Sequence, residues 1–251
     1  MKLFPIFLII LVSCQPTGQL YDVQGENLII SDTSRFDAKL NQLVLPYRQK
    51  MEDEMNTIIG QAVSTLKNSK TDRESDLGNW MADVIFETGI NYLQSNNTEI
   101  KNEHCFSLIN KGGIRAPINS GPITVGNIYE VMPFNNEIVV VTLEPIKVKE
   151  ILEYLYIQNG QPVSNVIIEL SEKMKSISIN SKEYTFESPI FIITSDYLAK
   201  GGDNMDFFDN PISISQTGTL FRDAILEKVQ HEKKIAAPAN TNRIQFMESY
   251  E

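Results

Sequence analysis

Leu108-Ile109-Asn110-Lys111-Gly112-Gly113-Ile114-Arg115 is the stretch on which the reading of this chain turns. Leu108 and Ile109 end a short apolar run of the kind that finishes a buried strand. Gly112 and Gly113 carry no Cβ, so the backbone there can turn sharply and come close to another group. Arg115 leaves the turn with a planar cationic fork suited to phosphate or carboxylate. Two further loops share this character. Val131-Met132-Pro133-Phe134-Asn135-Asn136 sets an aromatic ring between a rigid proline and two asparagines. Ser195-Asp196-Tyr197-Leu198-Ala199-Lys200-Gly201-Gly202-Asp203 joins an aromatic, a glycine pair and a carboxylate. One cation, two aromatics and one acid on glycine-bearing turns suit a ligand with a flat ring, hydroxyls and an anion. A nucleotide has all three.

Four blocks stand in order: Glu74-Ser75-Asp76-Leu77-Gly78-Asn79, Asn110 to Arg115, Pro133-Phe134-Asn135-Asn136, and Tyr197 to Asp203. Together they resemble the C-terminal, substrate-binding domain of the 5′-nucleotidase family, over roughly residues 35–247. The resemblance implies that Phe134 and Tyr197 sandwich a nucleobase. It gives Asn110 polar contacts to the nucleoside, Arg115 the phosphate side and Asp203 the ribose hydroxyls. Gly112, Gly113, Asn136 and Gly202 complete the implied substrate-binding set. The family motif Arg-x-x-Glu-x-x-Leu-Gly-Asn adds Glu74 and Asn79 as further candidates. Here, however, Thr71 stands where the motif has its arginine, and Arg73 is close by but out of register. Ordinary readings stand beside these roles. Glu74 fits a helix cap, Phe134 and Tyr197 fit a core, Arg115 a surface salt bridge, and Asp203 a turn closing on its own loop.

The 251 residues suffice for one large domain with a sizeable core. Hydrophobic residues make up 42% and charged residues 22%, as in ordinary globular proteins. The net charge of −10 argues against nucleic acid as a partner, which calls for basic surface. It leaves room for a small anion held by one or two local cations.

Residues 1–13 read as a signal peptide, with Lys2 before the apolar stretch Leu3 to Val12. Leu11-Val12-Ser13-Cys14 resembles a bacterial lipobox, which makes Cys14 the expected lipidation site and new N-terminus. The alternative is a plain signal peptide with an incidental cysteine. The expected organisation is a signal at 1–13, a polar tether at 14–34 and a domain at 35–251. The expected location is extracytoplasmic, lipid-anchored to a bacterial membrane, with the lipid as the sole membrane contact. Once Cys14 is lipidated, Cys105 has no disulfide partner, and its apolar surroundings suit a buried thiol.

Between Ser34 and Met55, apolar residues from Phe36 onward recur at helical spacing, predicting a helix with one buried stripe and a kink or break at Pro46. Residues 57–66 read as a strand and 68–72 as a polar loop. Thr71 and Glu74 have the form of a capping box for the helix that carries Leu77, Trp80, Met81, Val84, Ile85 and Thr88. Residues 91–103 read as a loop. Strands are expected at 137–144, 166–170, 176–180, 190–194 and 243–247, with a hairpin turn at Ser181-Lys182. Helices are expected at 148–156 and 217–229. Helices and strands interleave, yet some strands follow one another directly. The fold class is therefore mixed α/β, with mixed sheets covered by helices.

His104 and His231 lie far apart in no ligand-type motif, and no Ser-His-Asp set, Cys-His pair or P-loop is visible. The expectation is a domain with no catalytic residues, no metal and no cofactor of its own. In the resembled family, divalent metals belong to a separate metallophosphoesterase domain. Here they are expected only in a partner metallophosphoesterase chain, with a nucleoside or 5′-nucleotide as the ligand. The other reading is a surface nucleoside-binding lipoprotein without catalysis.

Overall fold

The computed structural model describes Gly25, Asn27 and residues 37–96, 102–172 and 175–247. The signal, Cys14 and all of the tether except Gly25 and Asn27 lie outside the described residues. The chain divides into two compact units, one ending at Leu45 and one beginning at Pro46.

In chain order the elements are α1 (Ala38–Met55), β1 (Ile58–Ala62), α2 (Asp76–Ser95), β2 (Cys105–Leu108), β3 (Gly121–Thr124) and α3 (Val125–Val131). There follow β4 (Glu137–Leu143), α4 (Lys147–Ile157), β5 (Val163–Ser164), β6 (Val166–Leu170), β7 (Lys175–Ile179) and β8 (Lys182–Glu183). The last are β9 (Ile190–Ser195), α5 (Asp196–Ala199), β10 (Ser213–Leu220), α6 (Phe221–Glu232), β11 (Lys234–Ile235) and β12 (Ile244–Phe246). They build a five-stranded sheet ordered β10-β4-β9-β2-β5, a three-stranded sheet β11-β1-β3 and a four-stranded sheet β12-β6-β7-β8. The mixed α/β class is the one expected.

The central strands β4, β9 and β2 of the five-stranded sheet are buried on both faces, which is why they are near-continuous apolar runs. On one face Cys105, Ile138, Val140 and Ile193 join α2 and α6 in one core cluster. On the other, Phe106, Leu108, Val139, Val141, Leu143, Ile190 and Ile192 join α4 in a second. Helix α2 lies so close to the sheet that a Cβ at Gly89 would sit 2.6 Å from Ile193. Burial pushes the Cys105 thiol up to about 12, consistent with a structural role.

Several expectations are corrected. Helix α1 has no buried residue, and Leu40, Leu43, Tyr47 and Met51 are exposed. Its periodicity marks an amphipathic helix but not a covered stripe. The N-cap of α2 is Ser75 rather than Thr71: its side chain accepts from Gly78 N at 3.1 Å. Helix α2 also continues to Ser95, into the stretch read as loop. Residues 217–220 are strand, the end of β10, which pairs antiparallel with β4, and α6 begins only at Phe221. The hairpin turn falls at Asn180 and Ser181, both left-handed (φ 48° and 63°), as a tight β7–β8 hairpin requires.

The topology brings three loops to one end of the sheet. Strands β2 and β9 run parallel, so the loops that follow them emerge at the same end. Strand β4 is antiparallel to β9, so the loop leading into it ends there too. Those loops are the 109–115 turn, residues 132–136 and residues 196–204. This is the crevice outside the carboxyl ends of strands where open α/β sheets place ligands.

Candidate functional site

At that end lies a cavity of about 310 Å³ lined by Asn110, Gly112, Gly113, Arg115, Phe134, Asn136, Tyr197 and Asp203. Eight of the nine expected substrate-binding residues are therefore together. The ninth, Gly202, supports the wall from behind: a Cβ there would sit 2.5 Å from the Tyr197 ring. The volume is at the small end for a ligand pocket.

Asp203 is the hub. One carboxylate oxygen accepts the Asn110 amide at 2.6 Å. The other accepts the Tyr197 phenol at 2.9 Å, and the Asp203 carbonyl accepts the Tyr154 phenol at 3.0 Å. The residue is left-handed (φ 53°, ψ 30°), a conformation that Asp tolerates better than most side chains. The hydrogen bond to Asp203, then the carboxylate's charge, raises the Tyr197 pKa. Burial, reinforced by that same charge, pushes the Tyr154 phenol up to about 12. Both phenols are thus held neutral as donors around one anion.

Phe134 and Tyr197 are 42% and 45% exposed, so neither is a core residue. The Phe134 loop is anchored from below by buried Arg222. Its guanidinium donates to Phe134 O at 3.3 Å and Asn135 Oδ1 at 2.7 Å, and stacks 4.2 Å from the Tyr129 ring. On the other side, Ser195 caps α5, accepting from Leu198 N at 3.1 Å. Asp196 ties α5 to β4 by accepting Glu137 N at 3.0 Å. Arg115 donates to Gly112 O at 3.0 Å, with its guanidinium 5.9 Å from the Phe134 ring centre. It forms no ion pair among the described residues, so donors remain for an anion. Gly112 and Gly113 are not in the left-handed region. Gly113 is needed for close approach, since a Cβ there would meet Asn110 Oδ1 at 2.8 Å.

Arg73, Glu74 and Asn79 are not among the residues lining this cavity. Glu74 accepts Arg243 N and Ile244 N, both at 2.6 Å, and the Asn79 amide at 2.8 Å, which pins β12 to the start of α2. Arg73 lies over the Phe246 ring at 4.3 Å. Arg243, buried beneath, makes a bidentate pair with Asp83 at 2.8 Å. Tyr154 and Arg222 were missed because a tyrosine on a helix face and an arginine at a helix start carry no local signal. Among the described residues no three His, Cys, Asp or Glu side chains gather to hold a metal ion.

A model of the family described as 5′-nucleotidase, C-terminal domain, matches residues 58–210. An apyrase of Aedes aegypti is 24% identical over 240 residues, covering 87% of this chain and 41% of the relative. A 5′-nucleotidase of Rattus norvegicus is 23% identical, covering 91% and 44%. The 5′-nucleotidase precursor of Thermus thermophilus superposes with a TM-score of 0.65 at 23% identity, over 84% of this chain and 43% of that one. The NAD nucleotidase of Haemophilus influenzae gives 0.61 at 16% identity, over 84% of this chain and 42% of that one. These superpositions show a common fold, and the chain spans about two-fifths of the relatives' length.

Proposed function

Since the chain belongs to the 5′-nucleotidase C-terminal domain family, we propose that its cavity recognises the base and ribose of a nucleoside or 5′-nucleotide. The observation that carries this reading is the set of two exposed rings, Phe134 and Tyr197, on one cavity with the Asp203 carboxylate. A base between the rings gains about 1–3 kcal/mol from stacking and need not be of one kind. The ribose diol takes the place of Asn110 and Tyr197 as donor to Asp203, and both of these side chains then turn to ligand oxygens. Arg115 meets the first phosphate with the donors that Gly112 leaves free.

In this reading a metallophosphoesterase chain supplies divalent metals and an activated water for release of the phosphate. This chain's residues bind and orient the nucleotide. Support comes from the family match, which is to a C-terminal domain. Lipid anchoring at Cys14 would hold the pair at an extracytoplasmic membrane surface, where released nucleosides serve salvage. The test is to mix the protein with a metallophosphoesterase and follow nucleotide turnover. A lowered KM or raised rate supports the reading, and no change in either contradicts it.

A second reading, a non-catalytic surface nucleoside-binding lipoprotein, is favoured by one observation. Thr71 replaces the motif's arginine, and its hydroxyl faces Ser69 at 3.4 Å. Preference for adenosine over AMP would support it.

A further inference from the structure

The Phe134 ring is 42% exposed, so its pose is set less by packing than by the backbone that carries it. The first two residues of α6 hold that backbone. Phe221 N donates to Asn136 O at 2.9 Å. Arg222 donates to Met132 O at 3.4 Å, Phe134 O at 3.3 Å and Asn135 Oδ1 at 2.7 Å, with its guanidinium over the Tyr129 ring of α3. The contact with Asn135 also sorts the asparagine pair. It holds the Asn135 side chain against Arg222, and Asn136 rather than Asn135 lines the cavity.

Arg222 is 7% exposed and forms no ion pair among the described residues. Its Nε is buried with no hydrogen-bond partner among them. Burying a cation without a carboxylate beside it is unfavourable, and an apolar side chain of similar size would avoid that desolvation. Stability alone therefore does not call for a guanidinium here. Its planar fork does what an apolar chain cannot: it grips three acceptors spread over four residues of one loop.

We propose that Arg222 is a positioning residue for base recognition: from the start of α6 it fixes the Phe134 ring in its stacking pose and keeps Asn136 on the ligand's side of the loop. Arg222 is not among the residues lining the cavity, so it acts through the loop and not on the ligand. The proposal rests on the reading of that cavity as a nucleoside site. Because Arg222 works through the ring, its substitution and that of Phe134 are expected not to add.

The test is a double-mutant cycle: adenosine is titrated calorimetrically, with EDTA present, into the parent, Arg222→Lys, Phe134→Ala and the double variant. Lysine keeps the charge and loses the fork. Arg222→Lys is expected to weaken binding about tenfold in the parent, and by about twofold or less once Phe134 is alanine. A loss of equal size in both backgrounds would mean that Arg222 merely supports the fold, and would overturn the proposal. So would unchanged affinity in Arg222→Lys. A second variant, Asn135→Ala, guards against a folding defect. Asn135 is exposed and outside the cavity lining, so its truncation should keep the Tm while removing the shortest Arg222 contact. It is expected to weaken adenosine about threefold, and unchanged affinity there also counts against the proposal. In each of these cases adenosine still binds the parent, and the nucleoside reading stands. No binding to a well-folded parent overturns that reading and this proposal with it.

Discussion

Asn110 donates its amide to Asp203 at 2.6 Å, across 93 residues of sequence. This bond joins the turn after β2 to the loop after α5 and sets the carboxylate at the floor of the cavity. If Asp203 is the ribose acceptor, Asp203→Asn removes the charge while keeping a side chain that tolerates the left-handed backbone. Adenosine affinity is expected to fall about tenfold with Tm little changed. Calorimetry and a thermal melt check this. Unaltered affinity would remove Asp203 from the site.

Gly202 sets the pose of Tyr197. A Cβ would meet the ring at 2.5 Å, and the half-exposed ring can swing away into solvent. Gly202→Ala should therefore spare stability and weaken base stacking, costing about tenfold in nucleoside affinity. A large drop in Tm with affinity retained would mean that the ring is structural.

Glu74 offers the opposite pattern. It accepts three hydrogen bonds, two of them from the backbone of Arg243 and Ile244. Glu74→Ala leaves partly buried donors unpaired and should cost about 3 kcal/mol, or roughly 6–12 °C in Tm. Nucleoside affinity of the folded protein should be unchanged. Lost affinity at constant Tm would restore Glu74 to the ligand site.

Alkaline pH should destabilise the fold. Burial raises the Cys105 thiol from 9.0 to about 12, and the Tyr154 and Tyr184 phenols from 10.0 to about 12. The native state then keeps protons that the unfolded chain gives up, so stability is complete below pH 9 and falls between about pH 9 and 12. Urea midpoints at pH 8 and 11 measure the loss, and Cys105→Ala should lose less than the parent. A midpoint that rises with pH would contradict the assignment.

How much of this was legible depended on how local each signal was. The central strands were plain because Ile138 to Leu143 and Ile190 to Thr194 are apolar on both faces. Strand β10 was not: Ser213-Ile214-Ser215-Gln216-Thr217 is a half-polar edge, and Leu220 runs on into the apolar pattern of α6. Thr71 and Glu74 fit a capping box by spacing. The Glu74 carboxylate is instead drawn to β12, 169 residues away, a competition that no local pattern displays. The stripe on α1 illustrates the same limit, because periodicity reports amphipathicity and not what covers it. The cavity residues were found through turn chemistry and family resemblance, whereas the Asn68 bonds that lock residues 65–70 to the 111–114 turn show only in the structure.

The most direct measurement is calorimetric titration of adenosine, in EDTA, into the parent protein and into Phe134→Ala. Phe134 is 42% exposed, so its truncation should leave the fold intact. The account predicts metal-independent binding that the substitution weakens by about tenfold or more. Binding of equal strength in both proteins, or none in a well-folded parent, would contradict it.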